Sequence, residues 1–230
     1  PGVDAIAANR FKTNKLATWV PVIWGPVYTP AFAIFGEAGD FNYAFEMKSR
    51  SISSRPSVWD DWDFAEPTWT GRIGYHPNAA WEVGASLSHG SYLNPVAGNL
   101  TGDFDQSTAG LDFSYAHHHW QIQAEVIYSL FELPNIQDDA QIWSYYIESR
   151  YKLNPQTFAA LRWNQQFYNE LGVPGGGSTA WDNDLFRLEA AFGYRLNPNV
   201  QVKLQYSWTH QDADFQNGEV VGAGVHVASG

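Results

Sequence analysis

Cysteine is missing from this chain altogether, so no disulfide framework and no thiolate metal site can be built from it. Also missing is any apolar run of about 18 residues, the length a membrane-crossing helix needs. Basic residues are scarce: 13 Lys and Arg stand against 24 Asp and Glu, a formal net charge of -11. Nucleic-acid binders concentrate positive charge in a patch or stripe, so this balance speaks against such a partner. The opening residues, PGVDAIAANRFK, lack a basic region followed by an apolar core. No secretory signal is readable there, which fits a mature or truncated form. No Ser/His/Asp set is legible, because the seven histidines fall in turns, at strand ends or in the last strands. The expectation is a protein that is not an enzyme and carries no cofactor.

What the chain has in abundance is aromatic side chains and alternation. Residues 140–153 place Trp143, Tyr145, Ile147, Tyr151 and Leu153 on one side, and Ser144, Tyr146, Glu148, Arg150 and Lys152 on the other. Residues 185–196 repeat the scheme, with Phe186, Leu188, Ala190, Phe192, Tyr194 and Leu196 against Arg187, Glu189, Gly193 and Arg195. A period of two means strand, because successive side chains point to opposite faces. From residue 69 the pattern is regular, with strands near 69–76, 80–92, 107–116, 120–133, 140–153, 157–169, 184–196, 199–210 and 219–228. Short turns (His76-Pro77-Asn78, Ala116–His119, Asn154-Pro155, Asn197-Pro198-Asn199) alternate with long loops, among them the Gly-rich 172–181. An earlier strand spans 41–50 after a turn at Gly36–Asp40. Residues 1–40 read as irregular or edge-like, since Pro21, Pro26 and Pro30 remove ladder donors.

Long strands, short turns at one end and long loops at the other predict an all-β fold: an antiparallel transmembrane β-barrel. The chain supplies roughly 10–12 strands in one domain over 1–230. Two aromatic belts support it: Tyr75, Trp81, Tyr115, Trp120, Tyr151 and Tyr194 near the short turns, and Trp69, Trp143, Phe167, Phe186 and Trp208 near the long loops. From Phe186 to Tyr194 the strand runs about 26 Å. With a tilt of about 40° that is roughly 20 Å of height, close to the apolar band of such barrels. The competing architecture is a soluble β-sandwich with this aromatic face as its core, binding carbohydrate through surface residues such as Trp59 and Trp62.

In a barrel the charged face lines the interior, so the candidate lumen residues are Arg72, Glu82, Asp112, Glu125, Glu148, Arg150, Lys152, Arg162, Arg187, Glu189, Arg195 and Lys203. They either select ions or pair with one another across a plugged interior. Glu148 and Glu189 have the chemistry of a glycosidase dyad, but nearby Arg150 and Arg187 favour ion pairs instead. Acidic residues gather beside the long loops: Asp60, Asp61, Asp63, Glu66, Asp103, Asp105, Asp138, Asp139, Asp182, Asp184, Asp212 and Asp214. They form an anionic mouth that is either simply solvated or attracts cations, Ca²⁺ included, although none has EF-hand spacing. His117 and His119 are the one metal-like pair, outweighed by a plain polar turn. Asn99-Leu100-Thr101 matches a glycosylation sequon by accident, and the run at 174–177 opens no helix and so is no phosphate loop.

The stretches GPVYTPAFAIFG, SSRPSVWDDWDF, PTWTGRIGYHPN, YKLNPQTFAALRWNQQ and FGYRLNPNVQVKLQYS resemble the C-terminal barrel region of poorly characterised bacterial outer-membrane proteins of the porin type. The resemblance runs from about residue 20 to about residue 215. It implies a location in the bacterial outer membrane and passive passage of small solutes or ions. The expected surroundings are outer-membrane lipid, with a homo-oligomer or membrane-complex partners as options. The chain ends Val-Ala-Ser-Gly where such barrels end on an aromatic residue. Related chains also extend further at the N-terminus, so a fragment of a larger barrel is expected. A structural, partner-binding barrel with a plugged lumen is the alternative function.

Overall fold

A computed structural model describes residues 30–49, 64–93, 104–133, 138–172, 176–180, 182–211 and 220–229. They form an antiparallel sheet of eleven strands and a small two-stranded ribbon, with no helix among the described residues. The strands are β1 (Ala31–Ala38), β2 (Phe41–Lys48), β3 (Thr68–Asn78), β4 (Trp81–Leu93), β5 (Phe104–His117), β6 (Trp120–Phe131), β7 (Ala140–Lys152) and β8 (Thr157–Tyr168). After the ribbon strands β9 (Glu170–Gly172) and β10 (Ser178–Ala180) come β11 (Leu185–Asn197), β12 (Val200–Gln211) and β13 (Val220–Ser229). Each strand of the large sheet pairs with the next along the chain, β8 pairing with β11 across the ribbon. Among the described residues β1 and β13 are its two edges, and the sheet is not closed.

Asparagine builds the short turns. The Asn154 side chain accepts the amides of Gln156 and Thr157, both at 2.9 Å. Asn197 accepts that of Asn199 at 2.9 Å, and Asn78 that of Ala80 at 2.8 Å. This Asx geometry explains the Asn-Pro signature: the side chain replaces a backbone acceptor while proline presets φ. The β5–β6 turn is built differently, with His118 in the left-handed region at φ of 53°.

Three boundaries differ from expectation. Strand β1 continues through Gly36 to Ala38, and the turn falls at Gly39, with φ of 61°. Gly36 stays in the ladder because the Tyr43 ring lies over it, in the space a Cβ would occupy. Strand β3 runs on to Asn78, and the register slips between Tyr75 and Asn78, where Pro77 offers no amide. The Gly-rich segment is not a plain surface loop, since β9 and β10 pair within it.

Burial in the sheet is inverted relative to a soluble protein. The large side chains most completely buried are Gln106, Asn164, Thr68, Ser129 and Ser144, all polar. Leu87, Leu111, Ile147, Leu161 and Leu204 are each more than half exposed. No second sheet covers the apolar face among the described residues, so the sandwich alternative fails. Aromatic rings meet across strands in two tiers on that face. Near the short turns Phe41 lies 4.9 Å from Tyr75 and Trp120 lies 4.7 Å from Tyr151. Near the long loops Phe45–Trp69 (5.6 Å), Tyr128–Trp143 (4.4 Å), Trp163–Phe186 (5.0 Å) and Phe186–Trp208 (5.2 Å) repeat the arrangement. Such pairs add about 0.5–1.5 kcal/mol each beyond area burial, and they mark the two ends of the apolar band.

Candidate functional site: the charged face

The polar face carries two arginine-centred networks, and strand register creates both. Around β3, the Arg72 guanidinium donates to Asp112 of β5 at 2.8 Å, to Glu82 of β4 at 3.2 Å and to Asn42 of β2 at 2.8 Å. Asn42 in turn donates to Glu82 at 2.9 Å. Two of these contacts, Arg72–Asp112 and Asn42–Glu82, skip over an intervening strand, as expected of a sheet that curls toward this face. Small residues make the reach feasible. A Cβ on Gly84 would land on the Asp112 carboxylate and the Arg72 guanidinium.

The second network sits on β7, β8 and β11. Register places Arg162 directly opposite Glu148 on one side and Glu189 on the other. The distances are 3.4 Å to Glu148 and 3.9 Å to Glu189. Asn164 accepts from Arg162 at 2.9 Å and donates to Glu189 at 3.2 Å, and Gln205 donates to Glu189 at 2.8 Å. The guanidinium also stacks over the Tyr146 ring, 4.0 Å from its centroid. Arg162 is thus the cation that both glutamates share, not Arg150 or Arg187 as the sequence suggested. The glycosidase-like pair is held by this arginine and its amides.

The other candidates lie on the same face. Arg150 rests 3.7 Å from the centre of the Phe158 ring, a cation–π contact, and makes no ion pair among the described residues. Phe158 in turn fills the space above Gly193. Arg187 donates to the Thr209 hydroxyl at 2.8 Å. Arg195 and Lys203 continue the phase toward the short turns of β11 and β12. Glu125 stands opposite Asp112 and Tyr146 in the ladder.

Of the acidic mouth, Asp60, Asp61, Asp63, Asp103, Asp212 and Asp214 lie outside the described residues. Those described serve local structure, a role that sequence reasoning missed. Asp138 accepts the Gly172 amide at 3.0 Å and Asp184 that of Tyr168 at 2.9 Å. Asp182 caps the Asn183 amide at 2.8 Å. The Asp139 carbonyl accepts from the Asn169 side chain at 3.0 Å. Asp105 lies 3.6 Å from His89. His117 and His119 do not converge with other ligands, and among the described residues no group of three His, Asp or Glu is placed to hold a metal ion. His119 instead donates through Nδ1 to the Lys152 carbonyl at 2.8 Å.

The sequence reading also missed an apolar island on the polar face. Ile127, Phe131, Ala140, Ile142 and Tyr146 are buried together near the long-loop end, and Leu171 of the ribbon packs into them. The signal was there: the end of β6, VIYSLF, is apolar on both phases, which marks a segment covered on both faces.

No protein-family model matches this chain, and no curated protein matches it. Solved structures do. OmpT of Vibrio cholerae, expressed in the outer membrane, superimposes with a TM-score of 0.56 at 14% identity, covering 86% of this chain and 64% of that one. The same protein folded in vitro gives 0.56 at 13% identity, covering 86% and 63%. Its variant lacking loop L8 gives 0.58 at 13% identity, covering 85% and 61%. The chain therefore spans somewhat less than two thirds of the length of the structures it resembles. At this identity the likeness speaks for architecture alone, and the architecture is that of an outer-membrane β-barrel.

Proposed function

We propose that the chain forms wall strands of an outer-membrane channel whose charged face lines a lumen for small hydrophilic solutes or ions. One observation carries this reading: the charged face stays accessible at the Arg72 network, while Arg162, Glu148 and Glu189 are more enclosed, at 17%, 29% and 14%. The side chains of Arg72, Glu82 and Asp112 keep 34%, 36% and 32% of their surface exposed. Ionised groups facing lipid are expensive, whereas facing water they are tolerated and set the local potential.

The apolar island with Leu171 favours a second reading, a structural barrel whose interior is filled near the long-loop mouth. Planar-bilayer conductance of the whole gene product separates the two. A channel gives stepwise conductance, and Arg162→Glu with Arg187→Glu shifts its reversal potential toward cation preference. The shift shrinks at high salt, because at 1 M the Debye length is only about 3 Å. A conducting double variant with an unchanged reversal potential removes these arginines from selectivity. No conductance in the unaltered protein leaves the filled barrel.

A further inference from the structure

The short-turn rim of β5, β6 and β7 holds a cavity of about 130 Å³ that neither arginine network uses. It is lined by His117, His118, His119, Arg150 and Lys152, together with Ala116, Trp120 and Gln121, and no carboxylate is among them. In a chain of net charge -11 such a lining is conspicuous. The cleft opens to solvent, with His117, His118, His119 and Trp120 exposed, so a small polyatomic ion can enter it from water.

The donors are prepared for a negative charge. Phe158 braces the Arg150 guanidinium from one side at 3.7 Å. The buried Nε of Arg150 has no hydrogen-bond partner among the described residues. The His119 Nδ1 must carry a proton, because its partner at 2.8 Å, the Lys152 carbonyl, can only accept. Nε2 of His119 is then a donor only when the ring is charged. The His117 and His118 rings stand 3.8 Å apart at the same rim. Guanidinium and ammonium groups without a carboxylate among them are the chemistry that recognises tetrahedral oxyanions.

We propose that this rim binds a tetrahedral oxyanion of the sulfate or phosphate type, held by Arg150, Lys152 and the 117–119 histidines. The titratable and charged groups packed around His119 are His117 and Tyr115 of β5, His118 of the turn, and Arg150, Tyr151 and Lys152 of β7. The nearest carboxylate is Glu148, two residues from Arg150 along β7, and its ion-pair partner is Arg162 of the second network. The site is read by binding and stands whether or not the lumen conducts.

The test uses the folded whole gene product in nonionic detergent, with folding checked by heat-shifted gel mobility. Sulfate is the probe, because its charge does not change between pH 6 and pH 8. Calorimetry should show saturable binding that weakens at least tenfold in Arg150→Gln with Lys152→Gln. Should that pair fail to fold, His118→Asn keeps a residue tolerant of the left-handed turn, and it should weaken binding about threefold. In nanodiscs containing phosphatidylglycerol, a site normally filled by lipid phosphate needs more sulfate than one in neutral lipid. A site for soluble anions binds sulfate equally in both when the surface potential of the anionic disc is screened by the same added salt in each. Absence of saturable binding, or undiminished binding in a folded Arg150/Lys152 or His118 variant, overturns the proposal.

Discussion

Replacing Ile147 with arginine tests the inverted burial most directly. Ile147 lies on the apolar face of β7, 52% exposed, midway between Trp143 and Tyr151 of the two aromatic tiers. Each tier is about 13 Å away along the strand, or roughly 10 Å in height at a tilt of about 40°. An arginine there sits near mid-bilayer and can reach neither interface without bending the strand or thinning the lipid. The cost at that depth is about 2–4 kcal/mol, which is roughly a 30- to 700-fold loss in the folding equilibrium constant. If the same face met water, an exposed Ile→Arg change would stay within about 0.5 kcal/mol. The assay is reversible guanidinium unfolding of the whole gene product in lipid vesicles, followed by tryptophan emission. Gln123→Arg serves as the control. It stands opposite Glu148 on the polar face and should leave stability near the starting value. An Ile147→Arg protein as stable as this control refutes the assignment of faces.

Two further substitutions probe the networks. Gly84→Val should destabilise by about 1–3 kcal/mol, as overpacking does, because its Cβ displaces the Asp112 carboxylate and Arg72 guanidinium. Gly71→Ala, where nothing lies within 4 Å, should be near neutral by the same denaturation curve. Arg162→Gln leaves Glu148 and Glu189 without their shared cation and should cost about 1–3 kcal/mol, less than the loss of a fully buried partner. Adding Glu148→Gln should recover part of that loss, and a double-mutant cycle that shows no coupling sinks the hub.

Strand identity from residue 41 onward was legible because the alternation is strict and the turns are chemically marked. The hinge at Asn154-Pro155 even implies the Glu148–Arg162 pairing, since the two residues are equidistant from it along the hairpin. The Arg162–Glu189 pairing was not legible. Strands β8 and β11 are joined by a segment that carries the ribbon, and a long connection leaves register undetermined. Sequence reasoning therefore gave Glu148 and Glu189 their nearest basic neighbours along the chain, Arg150 and Arg187, when the cross-strand neighbour decides. The loop aspartates misled for a related reason. A carboxylate that caps a backbone amide, as Asp138 and Asp184 do, looks in sequence like one that is merely solvated.

The placement of the cations decides what a lumen on this face would do to a charged solute. Each network joins one arginine to two carboxylates, so both are net negative by one unit. They stand at about mid-strand. Toward the short turns, Arg150, Lys152, Arg195 and Lys203 make no ion pair among the described residues. Dispersed single charges would cancel over a Debye length of about 8 Å at physiological salt. Arg195 stands six residues from Glu189, about 20 Å along β11, and escapes this cancellation, whereas Arg150 stands only about 7 Å along β7 from Glu148 and is partly offset by it. A cation is held best at the network level and repelled at the short-turn rim, while an anion meets the reverse order. Replacing a network arginine with glutamate and neutralising the rim cations should therefore move selectivity in the same direction, toward cations. Each acts by removing positive charge at a different depth. The effects of Arg195 and Lys203 should add to those at the networks, whereas Arg150, coupled to Glu148, should depart from additivity with the Arg162 network.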